Sequence, residues 1–169
     1  MDARELYLIR HGIAAERGPE FPDDTRRPLT AEGIARLKAE ARGLDLLGVR
    51  VDLILTSPLV RTVQTAEVFA RYLAGKPTIV RVDALAPDGT AAAVVGELAN
   101  HKAGRIALVG HEPNIGELAA HLIAARHPVP FKKGAVCRID VGALPPKGAG
   151  QLIWFAPPRL LRRLAADRH

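Results

Sequence analysis

Two histidines each follow a short apolar segment, at the point where a predicted strand ends. His11 comes directly after Leu6–Arg10, and His111 comes directly after Ile106–Gly110. An imidazole is largely neutral near pH 7, so one ring nitrogen can attack an electrophile such as phosphorus while the other holds a proton. Ligands of open α/β sheets bind beyond the carboxyl ends of strands. We therefore expect both imidazoles to face one pocket.

Arginines accompany these histidines. Arg10 precedes His11 and Gly12 follows it, while Arg61 lies one turn into the helix predicted after the next strand. A guanidinium donates bidentate hydrogen bonds to phosphate oxygens, and the first turn of a helix also favours an anion. A glycine lets the backbone approach that anion without a Cβ in the way. These residues predict a site for a phosphate group.

Three motifs, in this order along the chain, resemble those of the histidine phosphatase superfamily. They are Arg10-His11-Gly12, Ser57-Pro58-Leu59-Val60-Arg61 followed by Gln64-Thr65-Ala66, and Gly110-His111-Glu112. One such motif alone would be weak support, but three in the right order on the right elements are specific. The short chain and the segment Arg27-Pro28-Leu29-Thr30 are similar to those of the bacterial phosphohistidine phosphatases of the SixA type.

The resemblance implies a role for each residue of the predicted site. His11 would be the nucleophile, and Arg10, Arg61 and His111 would form a cationic cradle around the phosphoryl group. Such a cradle matches the charge that spreads over a phosphoryl group during transfer, which is the main source of rate acceleration in these reactions. No metal or other cofactor is then required.

The sequence leaves open the role of a further arginine and the identity of the general acid. Arg27 is similar to an extra arginine that the short family members place over the phosphate, although it could equally be a solvated loop residue, as could Arg26. Glu112 resembles the acidic residue that some relatives carry after their second histidine, and Asp88 lies in a loop that could also reach the site. Glu112 could instead be a first-turn acid that complements a helix dipole. A phosphoramidate substrate would need no strong acid.

The elements that must position these residues alternate between short apolar runs and helical segments. This pattern predicts a three-layer α/β/α fold with a mostly parallel sheet and an antiparallel edge, as in phosphoglycerate mutase-like proteins. Strands are expected at Leu6–Ile9, Asp52–Leu55, Ile79–Val82, Arg105–Val109, Val136–Val141 and Gln151–Phe155, the last two forming the edge. Helices are expected after the N-cap Thr30, from Ser57 as cap with Pro58 at the first position, near Ala91–Asn100, after Pro113 and near the C-terminus.

Composition limits the class of protein. The 169 residues favour one domain over residues 1–169, with 48% hydrophobic and 25% charged side chains. The single cysteine, Cys137, cannot form an internal disulfide, and no apolar run is long enough for a membrane span, so we expect a cytoplasmic protein without membrane contact. The net charge of +6 favours anionic partners, but aromatic residues make up only 4% of the chain. Nucleic acid is therefore a disfavoured partner.

The function that the sequence favours is a phosphatase with a phosphohistidine intermediate on His11. Its substrate would be phosphohistidine on a protein or a small phosphorylated metabolite. The loop from Gly18 to Pro28 suggests little covering lid, which favours the protein substrate. A phosphoglycerate mutase-like phosphotransferase and a non-catalytic phosphate-binding module stay open as alternatives, as does the oligomeric state.

Overall fold

Six strands form one sheet in a computed structural model that describes residues 3–167. They are β1 Arg4–Arg10, β2 Leu53–Thr56, β3 Thr78–Arg81, β4 Arg105–Gly110, β5 Val136–Val141 and β6 Gln151–Ala156. Their order across the sheet is β3-β2-β4-β1-β5-β6. The first four run parallel, whereas β5 pairs antiparallel with β1, and β6 pairs antiparallel with β5. The predicted parallel sheet with an antiparallel edge is confirmed.

Helices cover both faces of this sheet. They are α1 Ala31–Leu46, α2 Val60–Tyr72, α3 Ala91–Leu98, α4 Asn114–Ile123 and α5 Pro158–Ala166. Side chains of α1, α2 and α5 pack on one face, and side chains of α3 and α4 pack on the other, which gives the three layers that the sequence predicts. Among residues 3–167, no helix combines the length and the apolar character needed to cross a membrane.

Helix starts follow local capping rules in one case and depart from them in another. Thr30 caps α1, because its Oγ1 accepts a hydrogen bond from the Gly33 N–H at 2.9 Å. The prediction that α2 begins with Ser57 as cap and Pro58 at the first position was wrong. That helix begins at Val60, after Leu59 in extended conformation. The Ser57 hydroxyl has a different partner, described below.

The strand register brings three chain segments to one edge of the sheet. Arg10 at the end of β1 lies beside Gly110 at the end of β4, and Thr56 at the end of β2 lies beside Val109. The interiors of β1 and β4 are buried on both faces, as is usual for the central strands of a parallel sheet. Because these three parallel strands are adjacent and end at the same level, the residues that follow them meet at the carboxyl edge of the sheet.

Candidate active site

His11 and His111 lie side by side at this edge. Their ring centroids are 5.2 Å apart and the rings are tilted by 59°. The His11 N–H donates to the Gly110 carbonyl at 3.1 Å, which ties the two chain segments together. Only 7% of His11 and 4% of His111 is exposed. The structure thus brings together the two imidazoles that the sequence predicts at one site.

The surroundings of His11 select one tautomer. Its Nδ1 lies 2.7 Å from the Gly12 carbonyl oxygen, which can only accept, so Nδ1 carries the hydrogen and Nε2 keeps its lone pair. Burial lowers the pKa of His11 to about 4, and the charges of Arg61 and Arg10 act in the same direction, although the hydrogen bond to Gly12 opposes them. The ring is therefore neutral at pH 7.

His111 is held by Ser57. The two are joined by a 2.8 Å hydrogen bond between His111 Nε2 and Ser57 Oγ, and Ser57 Oγ also accepts from the Leu59 N–H at 3.3 Å. Burial, followed by the charges of His11 and Arg61, lowers the pKa of His111 to about 3. Because Ser57 Oγ accepts from the Leu59 N–H, its own O–H is free to donate to His111 Nε2, and in that arrangement the hydrogen of the neutral ring lies on Nδ1. This Nδ1 is buried and has no hydrogen-bond partner within residues 3–167.

Two arginines flank the imidazoles, and hydrogen bonds to neighbouring loops fix their guanidinium groups. Arg61 is 4% exposed, and its Nη1 donates to the Asp24 carbonyl at 2.8 Å. Arg10 Nη1 donates to the Phe131 carbonyl at 2.7 Å, while the Arg10 carbonyl accepts from the Gly134 N–H at 3.0 Å. The Nε atoms of both arginines are buried without a partner in the described part of the chain. Their N–H groups are thus donors available to an anion.

Asp24 is a site residue that the sequence analysis missed. Its carboxylate accepts from Arg61 Nη2 at 3.2 Å and from Arg27 Nε at 2.8 Å, and it forms an ion pair with Arg17 at 3.1 Å. Partial burial would raise the pKa of Asp24, but these donors outweigh it and hold the pKa below its ordinary value. The Arg27 side chain is 14% exposed and that of Arg26 81%, so the loop directs Arg27 to the site and Arg26 to solvent.

Helix α2 fastens the loops around the site. Thr65 Oγ1 accepts from the Gly12 N–H at 3.2 Å and donates to the Arg61 carbonyl at 2.7 Å. In the preceding residue, Gln64, Oε1 accepts from the Leu29 N–H at 2.7 Å. The Gln64-Thr65 pair therefore positions the segment after His11 and the segment that carries Arg27.

The glycine after His11 is explained by packing. A Cβ at Gly12 would lie 2.6 Å from Leu37 Cδ1 of α1. Packing against α1 is thus sufficient reason for a glycine here, and the approach of its backbone to an anion stays a prediction.

The two candidate acids differ in position. Glu112 lines the cavity at the site, its Oε1 accepts from the Gly116 N–H in the first turn of α4 at 2.8 Å, and burial raises the pKa of its carboxyl. Asp88 is exposed and does not line this cavity. The neighbouring Pro87 does line it, and its carbonyl accepts from Asn114 Nδ2 at 2.9 Å. Of the two carboxyls, only Glu112 lies at the site.

The cavity has a volume of about 300 Å³. Its charged lining comprises five cationic residues and two acidic ones: Arg10, Arg17, Arg27, Arg61, Lys133, Asp24 and Glu112. Two neutral imidazoles among guanidinium donors can bind a phosphoryl group and offer it a nitrogen nucleophile. In the described part of the chain, no three His, Cys, Asp or Glu side chains are grouped as a metal site would need.

Comparison with known proteins gives consistent matches. Residues 6–86 match the family model described as histidine phosphatase superfamily (branch 1). An uncharacterized protein of Picosynechococcus sp. is 39% identical over 144 residues, which cover 82% of this chain and 86% of that protein. Phosphohistidine phosphatase SixA of Escherichia coli is 27% identical over 165 residues, 96% of this chain and 99% of SixA. The structure of the protein histidine phosphatase SixA complexed with tungstate superposes with a TM-score of 0.82, at 26% identity over 93% of this chain and 99% of that one.

Proposed function

Since the chain belongs to the histidine phosphatase superfamily, we propose that it is a phosphatase that transfers a phosphoryl group from a phosphohistidine on a protein first to His11 and then to water. The superfamily and the similarity to SixA support phosphatase activity. The phosphohistidine substrate is our proposal from this similarity and from the site.

The observation that supports this function most is the tautomer of His11 beside His111. With Nδ1–H donated to the Gly12 carbonyl, the Nε2 lone pair is the nucleophile, and the low pKa keeps that lone pair free of a proton at pH 7. Nε2 bonds to phosphorus while the bond from phosphorus to the leaving nitrogen breaks. Attack of water on phosphorus then releases phosphate and regenerates His11.

The donors around the imidazoles stabilise the moving charge. Arg10 Nε, Arg61 Nε and His111 Nδ1 are the three buried nitrogens of the site that lack a partner among residues 3–167. Each would donate to an equatorial phosphoryl oxygen. Because these donors are already removed from water in the folded protein, a hydrogen bond to the phosphoryl group costs no further desolvation of the donor and is favourable. Arg27 would add a second layer of positive charge, since it is held against Asp24 beside Arg61.

The leaving group limits the substrate class. A protonated imidazole leaves readily, so a phosphohistidine needs little help from a general acid, whereas an alkyl phosphate needs a strong one. Glu112 is the carboxyl at this site with a raised pKa, but one of its oxygens is engaged by the Gly116 N–H. Because Glu112 has only one oxygen free to protonate a leaving group, the site is better suited to a phosphoramidate substrate than to a metabolic phosphoester.

Labelling of the enzyme tests this proposal. The wild-type protein and His11→Ala are mixed with a phosphohistidine peptide carrying ³²P, and the reaction is stopped in alkaline detergent because phosphoramidate bonds are labile in acid. We expect label on the wild-type chain and none on the variant, with turnover of the variant lower by at least about a thousandfold. The fold of the variant is checked by circular dichroism.

His121→Ala is the matched control, since this histidine lies exposed on α4 outside the cavity. It should keep both label and turnover. A wild-type chain that never carries label, or a His11→Ala variant that retains more than about a tenth of the activity, would contradict the proposal. A pure phosphate-binding module would produce the first of these results.

A further inference from the structure

A second, larger cleft adjoins the cavity that holds His11. It has a volume of about 690 Å³ and lies between α1, α5 and the loop that precedes β5. Arg10 and Lys133 line both the cleft and the cavity, so the two are contiguous. A substrate whose phosphoryl group occupies the cavity would therefore present its neighbouring groups to the cleft.

The cleft is strongly basic. Six of its lining side chains are cationic: Arg10, Arg36, Lys132, Lys133, Arg159 and Arg162. Arg36 is paired with Glu32 at 2.7 Å and Arg162 with Glu40 at 2.8 Å. Among residues 3–167, no ion pair joins Lys132, Lys133 or Arg159 to an acidic side chain. These three exposed cations are available to a partner.

Buried contacts between α1, α5 and the loop before β5 form the floor of the cleft. Glu40 is the one acidic lining residue, is 1% exposed, and links α1 to Arg162 of α5. Gly134 packs directly on it, since a Cβ there would lie 2.4 Å from Glu40 Oε2. Because the Gly134 N–H donates to the Arg10 carbonyl, the floor also supports the arginine that reaches the active site. A floor held by these contacts, with exposed cations at the rim, suits recognition of charge on a partner.

The rest of the lining indicates the kind of partner. Ile13, Leu37, Pro157 and Pro158 provide an apolar strip between the cations. Within the described residues, no aromatic side chain lines the cleft, so it lacks the stacking surface that single-stranded nucleic acids use. Scattered cations around aliphatic side chains are complementary to a protein surface that carries carboxylates with aliphatic groups between them.

We propose that this cleft binds an acidic surface of the phosphorylated protein, next to the phosphohistidine that enters the cavity. This inference rests on the proposed function and adds to it the charge of the substrate's surroundings. Lys132 and Arg159 would act as specificity residues, because they lie in the cleft and outside the cavity that holds His11. They would accelerate encounter and lower KM without touching the reacting atoms.

Two peptides test the proposal. Each carries one phosphohistidine, flanked in one by several glutamates and in the other by the same number of glutamines, and hydrolysis is followed by phosphate release. For the wild-type chain, we expect KM for the acidic peptide to be at least about tenfold lower, with similar kcat for both. The difference should shrink when ionic strength rises from about 0.05 M to about 0.5 M, because exposed charges are then screened.

Charge reversal locates the effect. Lys132→Glu/Arg159→Glu should abolish the preference for the acidic peptide and leave the turnover of a small aryl phosphate unchanged. Arg71→Glu/Lys102→Glu is the matched control, because it makes the same change of charge at exposed positions outside the cleft and the cavity. This control should keep the preference.

Several results would overturn the proposal. Equal KM values for the two peptides in the wild-type chain, loss of the preference in the control variant, or a cleft variant that impairs the aryl phosphate equally would each do so. Preferential turnover of a polyphosphorylated metabolite such as ATP over the acidic peptide would also do so. If neither peptide is hydrolysed while the aryl phosphate is, the phosphohistidine substrate itself is refuted, and that failure is distinct from the failure of the cleft.

Discussion

Acid should destabilise this protein through its two buried imidazoles, and His11→Asn/His111→Asn should remove that effect. Burial lowers the pKa of His11 to about 4 and that of His111 to about 3, against 6.5 for the exposed side chain. Below pH 6.5 the unfolded chain binds protons that the folded chain does not, so stability falls as pH falls. At pH 5 the gap of about 1.5 pH units costs about 2 kcal/mol for each histidine, or about 4 kcal/mol together.

One buried carboxyl acts in the opposite direction. Burial raises the pKa of Glu40 from 4.5 to about 7, although the hydrogen bond and charge of Arg162 oppose it. Between these values the folded chain binds the proton and the unfolded chain largely does not, so stability from this group rises by about 2 kcal/mol as pH falls from 7 to 5. Glu40 thus offsets about half of the histidine contribution, and the wild-type chain should lose about 2 kcal/mol.

Urea unfolding at pH 7.5 and pH 5, followed by the fluorescence of the single tryptophan, Trp154, separates the two contributions. Relative to its own value at pH 7.5, the histidine variant should gain about 2 kcal/mol at pH 5, and Glu40→Gln should lose about 4 kcal/mol. Comparing pH changes removes the constant cost of each substitution. If the wild-type chain and the histidine variant change in parallel within about 1 kcal/mol, the burial argument for neutral imidazoles is refuted.

Two further predictions concern anion binding and catalysis. Tungstate, a phosphate mimic, should bind with uptake of a proton near pH 6. One unit of negative charge about 4 Å from His111 favours the protonated form of this histidine by about 4 kcal/mol at an effective dielectric constant of about 20. Calorimetry in buffers of different ionisation enthalpy measures the proton uptake, and a binding heat that does not depend on the buffer would contradict the prediction. Ser57→Ala should lower kcat about tenfold because His111 Nε2 loses its hydrogen-bond partner, whereas Ser57→Thr, which keeps the hydroxyl, should retain most of the wild-type rate. Steady-state kinetics with an aryl phosphate measures these rates. Equal rates for the wild-type chain and both variants would show that the serine has only a structural role.

Most helices and strands of this fold could be predicted from the sequence, because apolar runs and capping residues within each segment indicate them. Buried runs such as Ile106–Val109 and the cap at Thr30 are visible within a few residues of sequence. Cys137 lies in the strand predicted at Val136–Val141, and it is buried in β5 with its pKa raised to about 12 by burial. The predicted start of α2 was wrong because Leu59 is extended and the helix begins only at Val60, and the bond between Ser57 and His111, 54 residues apart, could not be predicted from local sequence.

From the sequence, only those site residues could be predicted whose type indicates a particular chemistry. Histidine and arginine at strand ends indicate phosphate chemistry, whereas Asp24 and Lys133 are ordinary loop residues until the fold brings them to the cavity. The spacing of Asp24 three residues before Arg27 was the one signal for the former, and it is also the spacing of a solvent-exposed pair. The role of Gly12 depends on Leu37, which no local rule connects with it.

Strand order is what converts these separate residues into one site. The order β2-β4-β1 places the residues that follow these strands, Ser57, His111 and His11, in that sequence along the edge. His111 is therefore the central group, held by Ser57 on one side and beside His11 on the other, at a ring separation of 5.2 Å. A different order with the same elements would separate the imidazoles by further strand spacings of about 4.8 Å each. The proposed chemistry thus depends on β1 lying next to β4, in the register that pairs Arg10 with Gly110 and so brings His11 and His111 together.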